Sequence, residues 1–195
     1  MKTQILIAIK IFSLLTILLG VAYPLVITGI AQLAFPEKAN GSLIVQGNKV
    51  VGSEWIGQKF DSVVYFSSRP SATDYSPMPS GGSNLGPTSS KLRQLVAERQ
   101  TQFIEFNQLR DSVAVPSEML LSSASGLDPH ISPKAALMQV ERIVRVRQID
   151  SSQKRQLLNL ITELTESPQF GLFGEERINV LNLNMKLDKI KNHDE

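Results

Sequence analysis

Cysteine is absent from this sequence. That excludes disulfides, thiolate metal sites and a cysteine nucleophile, but it does not fix the compartment. Histidine is nearly as scarce: the two are His130 and His193, and the second lies in the charged C-terminal tail. One histidine among carboxylates without ligand spacing does not make a metal site, so none is expected. With a formal net charge of +2 and no basic tract, no field draws nucleic acid, and no nucleic-acid partner is expected. There is no internal repeat and no Gly-x-Ser-x-Gly nucleophile elbow. No Gly-Lys-Ser/Thr closes the glycine-rich run after residue 80, so it is not a Walker-type phosphate loop.

What the sequence does have is one long uncharged stretch, from Ile11 to Phe35. As a helix it reaches roughly 37 Å, enough to cross a hydrocarbon core of about 30 Å with some tilt. Its fourteen Ile, Leu, Val and Phe side chains are worth up to roughly −4 to −8 kcal/mol of insertion free energy. Ser13, Thr16, Gly20, Pro24, Thr28 and Ala31 fall on one face at helical spacing, with Leu15, Leu18 and Val26 opposite, so a partner helix is expected along the small-residue stripe. Pro24 is expected to kink the helix. Lys2, Lys10 and Gly20-Val21-Ala22 also fit a cleavable signal peptide, but the apolar run continues to Phe35, which favours an anchor. Lysines and the terminal amine precede the span without an acid, so the expected order is a cytoplasmic tail (1–10), a transmembrane helix (11–35) and an extracytoplasmic domain (36–195).

The remainder has room for one domain, read as α+β: a single N-terminal transmembrane helix followed by a mixed α/β soluble domain. Leu43 to Val51 reads as a hairpin turning at Gln46 to Lys49, and Ser62 to Phe66 as another β segment. Residues 68–88 carry Pro70, Pro77, Pro79 and Pro87 and cannot hold a packed element, and a loop of that length is usually functional or disordered. Helices are expected from Ser90 to about Leu109, after Ser132-Pro133, and after the Asp150 cap. In the second of these, Ala136, Leu137, Val140, Ile143 and Val144 should face inward, with Arg142, Arg145 and Arg147 mostly outward. Alternation of Leu181, Leu183, Met185 and Leu187 with polar residues predicts a closing strand over Arg177 to Leu187. A helix start after a glycine-rich loop can also offer amides to an anion.

Asp128-Pro129-His130 reads first as a turn tying down backbone groups. A hydrolase would have to recruit His130 and a nearby serine, which leaves a membrane-anchored extracytoplasmic hydrolase as an alternative. A tethered nucleotide-binding module is another. Four segments carry a resemblance: Tyr23-Pro24-Leu25, Arg69-Pro70-Ser71-Ala72, Ser80 through Pro87, and Ala124-Ser125-Gly126-Leu127-Asp128-Pro129-His130-Ile131-Ser132-Pro133. In order and spacing the chain resembles the C subunit of the Kdp-type potassium-transporting P-type ATPase, departing at Ser67-Ser68.

The resemblance implies a small non-catalytic, single-span subunit in a bacterial plasma membrane, with its main domain periplasmic. It implies two partners, a P-type subunit that hydrolyses ATP and a potassium-conducting subunit, besides membrane lipid. It also implies a catalytic chaperone that raises the ATPase subunit's nucleotide affinity, with Ser125 and Gly126 in a motif likened to an ATP-binding signature. No cofactor of its own is expected, ATP acting through the complex. A domain outside the cell meets little ATP, so the loops at 68–88 and 122–133 are expected to contact the potassium-conducting subunit. The candidate contact residues are Arg69, Gly81, Gly82, Asn84, Asp128 and His130 in the domain, with Ser13, Gly20, Pro24 and Thr28 on the anchor.

Overall fold

The computed structural model describes residues 1–190, so His193 lies outside the described residues. The chain divides into two compact units, Met1–Ser53 and Glu54–Glu195.

The first unit is built on a continuous helix, Lys2–Ala34, the one helix among the described residues long and apolar enough to cross a membrane. It begins before Ile11 because nothing between Lys2 and Lys10 breaks a helix; the helix boundary and the edge of the uncharged run therefore differ. It comprises α1 (Lys2–Ile17), a π-helical turn over Leu18–Ala22, and α2 (Tyr23–Ala34). Pro24 has no N–H for the carbonyl of Gly20, and just before it the Tyr23 N–H reaches back to the Leu18 carbonyl. The wider turn thus accommodates the proline.

Phe35 leaves the helical region (φ −141°, ψ 56°), as the steric clash with a following proline demands, and Pro36 opens a short helix α3 (Pro36–Ala39). The Asn40 and Gln32 side-chain amides pair at 3.3 Å. Strands β1 (Leu43–Gln46) and β2 (Lys49–Ser53) form the expected hairpin, with Val45 opposite Val50 and Gln46 opposite Lys49. Gly47 supplies the positive φ its two-residue turn requires.

The second unit packs three helices around one core: α4 (Ser90–Asn107), α5 (Pro133–Val146) and α6 (Ser151–Glu163), closed by α7 (Val180–Leu187). Each start is capped as its sequence demands, by Ser89, Ser132, the Asp150/Gln153 capping box and Asn179. Phe66, Phe103, Ile131, Val140, Ile143, Leu157, Ile161, Ile178, Leu183 and Leu187 share the buried core. A two-residue ladder, β3 (His130–Ile131) with β4 (Ile178–Asn179), joins the end of the second loop to the start of α7.

Three expectations fail here for physical reasons. Ser62 to Phe66 is not a strand, because its polar backbone is satisfied by side chains rather than by a neighbouring strand. Arg142 donates to the carbonyls of Val63 and Tyr65, Arg147 donates to that of Val64 at 2.8 Å, and the Asn184 amide brackets Phe66 by accepting from its N–H and donating to its carbonyl. Consequently Arg142 is not outward but 1% exposed, whereas Leu137 is 49% exposed. Burial pulls the Arg142 guanidinium down to about 10; it also donates to Asn107 and Gln139 and lies 4.5 Å from the Phe106 ring centroid. Finally, most of Arg177 to Leu187 is helix. Val180, Leu183 and Leu187 fit helical spacing as well as Leu181, Leu183 and Leu187 fit alternation, and the Asn179 side chain decides by accepting the Asn182 N–H at 3.0 Å.

Candidate functional site

The loops at 68–88 and 122–133 interlock. Arg69 Nη1 meets Asp128 Oδ2 at 2.6 Å across 59 residues of sequence. Asp128 Oδ1 accepts the His130 backbone N–H at 3.0 Å and lies 3.2 Å from His130 Nδ1. Burial alone would raise the Asp128 carboxyl, but the hydrogen bonds from His130 and the Arg69 charge outweigh it and hold the group below the ordinary carboxylate value. Arg69 Nε is buried without a hydrogen-bond partner among the described residues.

A second set of contacts is made by backbone and small residues. The Gly81 N–H donates to the Ser125 carbonyl at 2.9 Å, and Ser71 Oγ donates to the Gly126 carbonyl at 2.7 Å. Gly126 has φ +71°, and a Cβ there would lie 2.7 Å from Thr73 Oγ1 and 2.9 Å from the Gly81 carbonyl oxygen. At Gly82 a Cβ would press on the Ala124 carbonyl at 3.2 Å. Tyr75 closes the first loop from within, its hydroxyl donating to the Arg69 carbonyl, and burial pushes its phenol up to about 12.

Arg69, Asp128 and His130 thus meet in one cluster, and Gly81, Gly82, Ser125 and Gly126 in an adjoining one. Asn84 is exposed in the left-handed conformation. Ser13, Gly20, Pro24 and Thr28 lie on the exposed apolar helix of the other unit.

Two participants carried little signal in sequence. The Gly57 N–H donates to the Leu127 carbonyl at 2.7 Å, and a Cβ on Gly57 would sit 2.7 Å from the Asp128 carbonyl oxygen. Trp55 lies with its ring centroid 6.3 Å from that of His130. The one hint was that the chain's single tryptophan and a glycine stand two residues apart.

Beside the cluster, Arg69, Asp128, His130, Glu118 and Glu175 to Arg177 line a cleft of about 420 Å³. Among the described residues, neither Ser125 nor Ser132 is hydrogen-bonded to His130. His130 has the orienting carboxylate, but Ser125 accepts the Leu127 N–H, while Ser132 donates to Glu118 and caps α5. At Ser125-Gly126 the Gly126 N–H reaches the Ser123 carbonyl, the Leu127 N–H is taken by Ser125, and the glycine's open side faces Thr73 and Gly81.

A family described as the c chain of the K+-transporting ATPase, KdpC, matches residues 5–189. The potassium-transporting ATPase KdpC subunit of Polaromonas naphthalenivorans is 48% identical over 189 residues, covering 94% of this chain and 93% of the relative. That of Dechloromonas aromatica is 45% identical over 195 residues, covering 97% and 99%. The Yersinia enterocolitica subunit is 45% identical over 184 residues, covering 93% and 90%.

Proposed function

The chain belongs to the KdpC family, the c chain of the potassium-transporting ATPase, and from that premise we propose that it is a non-catalytic docking subunit. In this reading the apolar helix anchors the chain in the bacterial plasma membrane, with its lysine-flanked N-terminus in the cytoplasm and the domain from Glu54 onward outside. The interlocked loops form the face that engages the potassium-conducting subunit, and the small-residue stripe through Ser13, Gly20, Pro24 and Thr28 packs on a partner helix.

One observation carries this reading. Two long proline-containing loops are pinned to each other by Arg69–Asp128 and by the seating of Gly126 against Gly81. Among the described residues that ordering joins Arg69, Asp128 and His130 without a serine hydrogen-bonded to the histidine. A preorganised loop face saves the ordering entropy that docking would otherwise cost. An effect on the ATPase subunit's nucleotide affinity is then indirect, passing through partner subunits, since the Gly126 and Leu127 amides are occupied within the chain.

The test is recovery of the membrane complex through an affinity tag on this chain. Wild type retains its partner subunits, and Asp128→Arg loses them while the domain stays folded by circular dichroism. Full retention and transport in Asp128→Arg would count against the reading. Sidedness is checked with a thiol placed near residue 195, which a membrane-impermeant maleimide labels in intact cells only if the domain is outside.

A further inference from the structure

Between Glu166 and Arg177 the chain makes a short two-stranded finger. Glu166 and Arg177 exchange backbone hydrogen bonds at 2.8 and 3.1 Å, and Gln169 and Phe173 exchange them at 2.8 and 2.9 Å. The Arg177–Glu166 side-chain pair, at 2.9 Å, braces the base. The tip presents Phe170, Leu172 and Phe173, which are 86%, 81% and 66% exposed. Three large apolar side chains held in water oppose the hydrophobic effect that places the rest of the core. Phe170 also has φ +57°, a left-handed backbone that glycine or asparagine adopts at less cost than a bulky residue.

We propose that this finger is a plug that inserts Phe170, Leu172 and Phe173 into an apolar socket with a basic rim on a partner protein of the complex. The charge beside it selects a protein over a lipid surface. Glu175 and Glu176 follow the tip, no lysine or arginine lies between Glu163 and Arg177, and Arg177 is paired with Glu166. Basic residues strengthen binding to anionic headgroups, whereas the anions beside this tip oppose it and match a basic rim.

The finger is also continuous with the loop cluster, because Glu175, Glu176 and Arg177 line the same cleft as Arg69, Asp128 and His130. The inference therefore rests on the docking reading and extends its surface to an apolar anchor of the kind that dominates interface energetics.

The experiment places photoreactive benzoylphenylalanine in place of Phe170 and, separately, of Asn84, in the assembled complex within phosphatidylethanolamine–phosphatidylglycerol vesicles. An ultraviolet-induced adduct between position 170 and another subunit is the expected result. An adduct with lipid alone, or none, at position 170 overturns the plug; if position 84 still crosslinks to a subunit, the docking reading survives without it. If both positions are silent in an intact complex, both fall. Independently, changing Phe170, Leu172 and Phe173 to serine should leave thermal unfolding unchanged and cut recovery of the complex at limiting subunit concentration at least about tenfold. Recovery equal to wild type would refute the plug.

Discussion

Arg69 and Asp128 meet at 2.6 Å, each with about a quarter of its side chain exposed (23% and 27%), and this pair fastens one long loop to the other. A charge-assisted hydrogen bond in that setting contributes roughly 1.5–3 kcal/mol. Arg69→Ala and Asp128→Asn should each lower unfolding stability by an amount in that range. A double-mutant cycle by chemical denaturation measures the coupling, which should vanish when either partner is gone.

The same carboxylate gives a pH signature. Its folded-state pKa lies below the ordinary value of 3.8, so the folded state favours the ionised form. That stability is fully present above the ordinary value and is lost as pH falls through the depressed folded value. The stability gap between wild type and Asp128→Asn should therefore be constant near neutrality and shrink on acidification below about pH 4. Denaturation midpoints measured across that range check it.

Glycine positions separate close packing from mere flexibility. Gly57→Ala and Gly126→Ala force a Cβ to within 2.7 Å of the opposite loop's atoms, whereas Gly86 has nothing within 4 Å. The first two should lose about 1–3 kcal/mol and Gly86→Ala should change little, as thermal denaturation would report.

Arg142 is the hub that replaces a strand. Its guanidinium serves Asn107, Gln139 and the carbonyls of Val63 and Tyr65 from a fully buried position. Arg142→Met should cost at least about 3 kcal/mol, since several buried acceptors lose their donor at once. Arg142→Lys should recover little of it, because a single ammonium cannot reproduce the planar fork. Hydrogen exchange at residues 63–67 should rise in both variants.

Local rules read well at most helix starts and at the hairpin. The caps at Ser89, Ser132 and Asp150 each start a helix, the hairpin turns at Gly47-Asn48, and the apolar run is the long helix. Two of the failures lie where a distant side chain decides, and the third, helix in place of a closing strand, turns on the local Asn179 cap. Val63-Val64-Tyr65-Phe66 has strand composition, but its backbone groups are taken by the side chains of Arg142, Arg147 and Asn184, about 75 to 120 residues away. Arg142 looked like a surface charge because periodicity cannot foresee a ring of buried carbonyls. The site was partly legible: the motifs flagged both loops, but the closure of Gly126 onto Gly81 and Thr73 depends on a left-handed backbone that no spacing rule reveals.

The most direct test of the docking face is amide hydrogen exchange on the full chain, alone in detergent and in the assembled complex. Assembly should slow exchange at the exposed amides of residues 68–88 and 122–133, leaving the solvent face of α6 unchanged. Equal exchange in both loops, with protection confined to the membrane helix or to α6, would contradict the docking face.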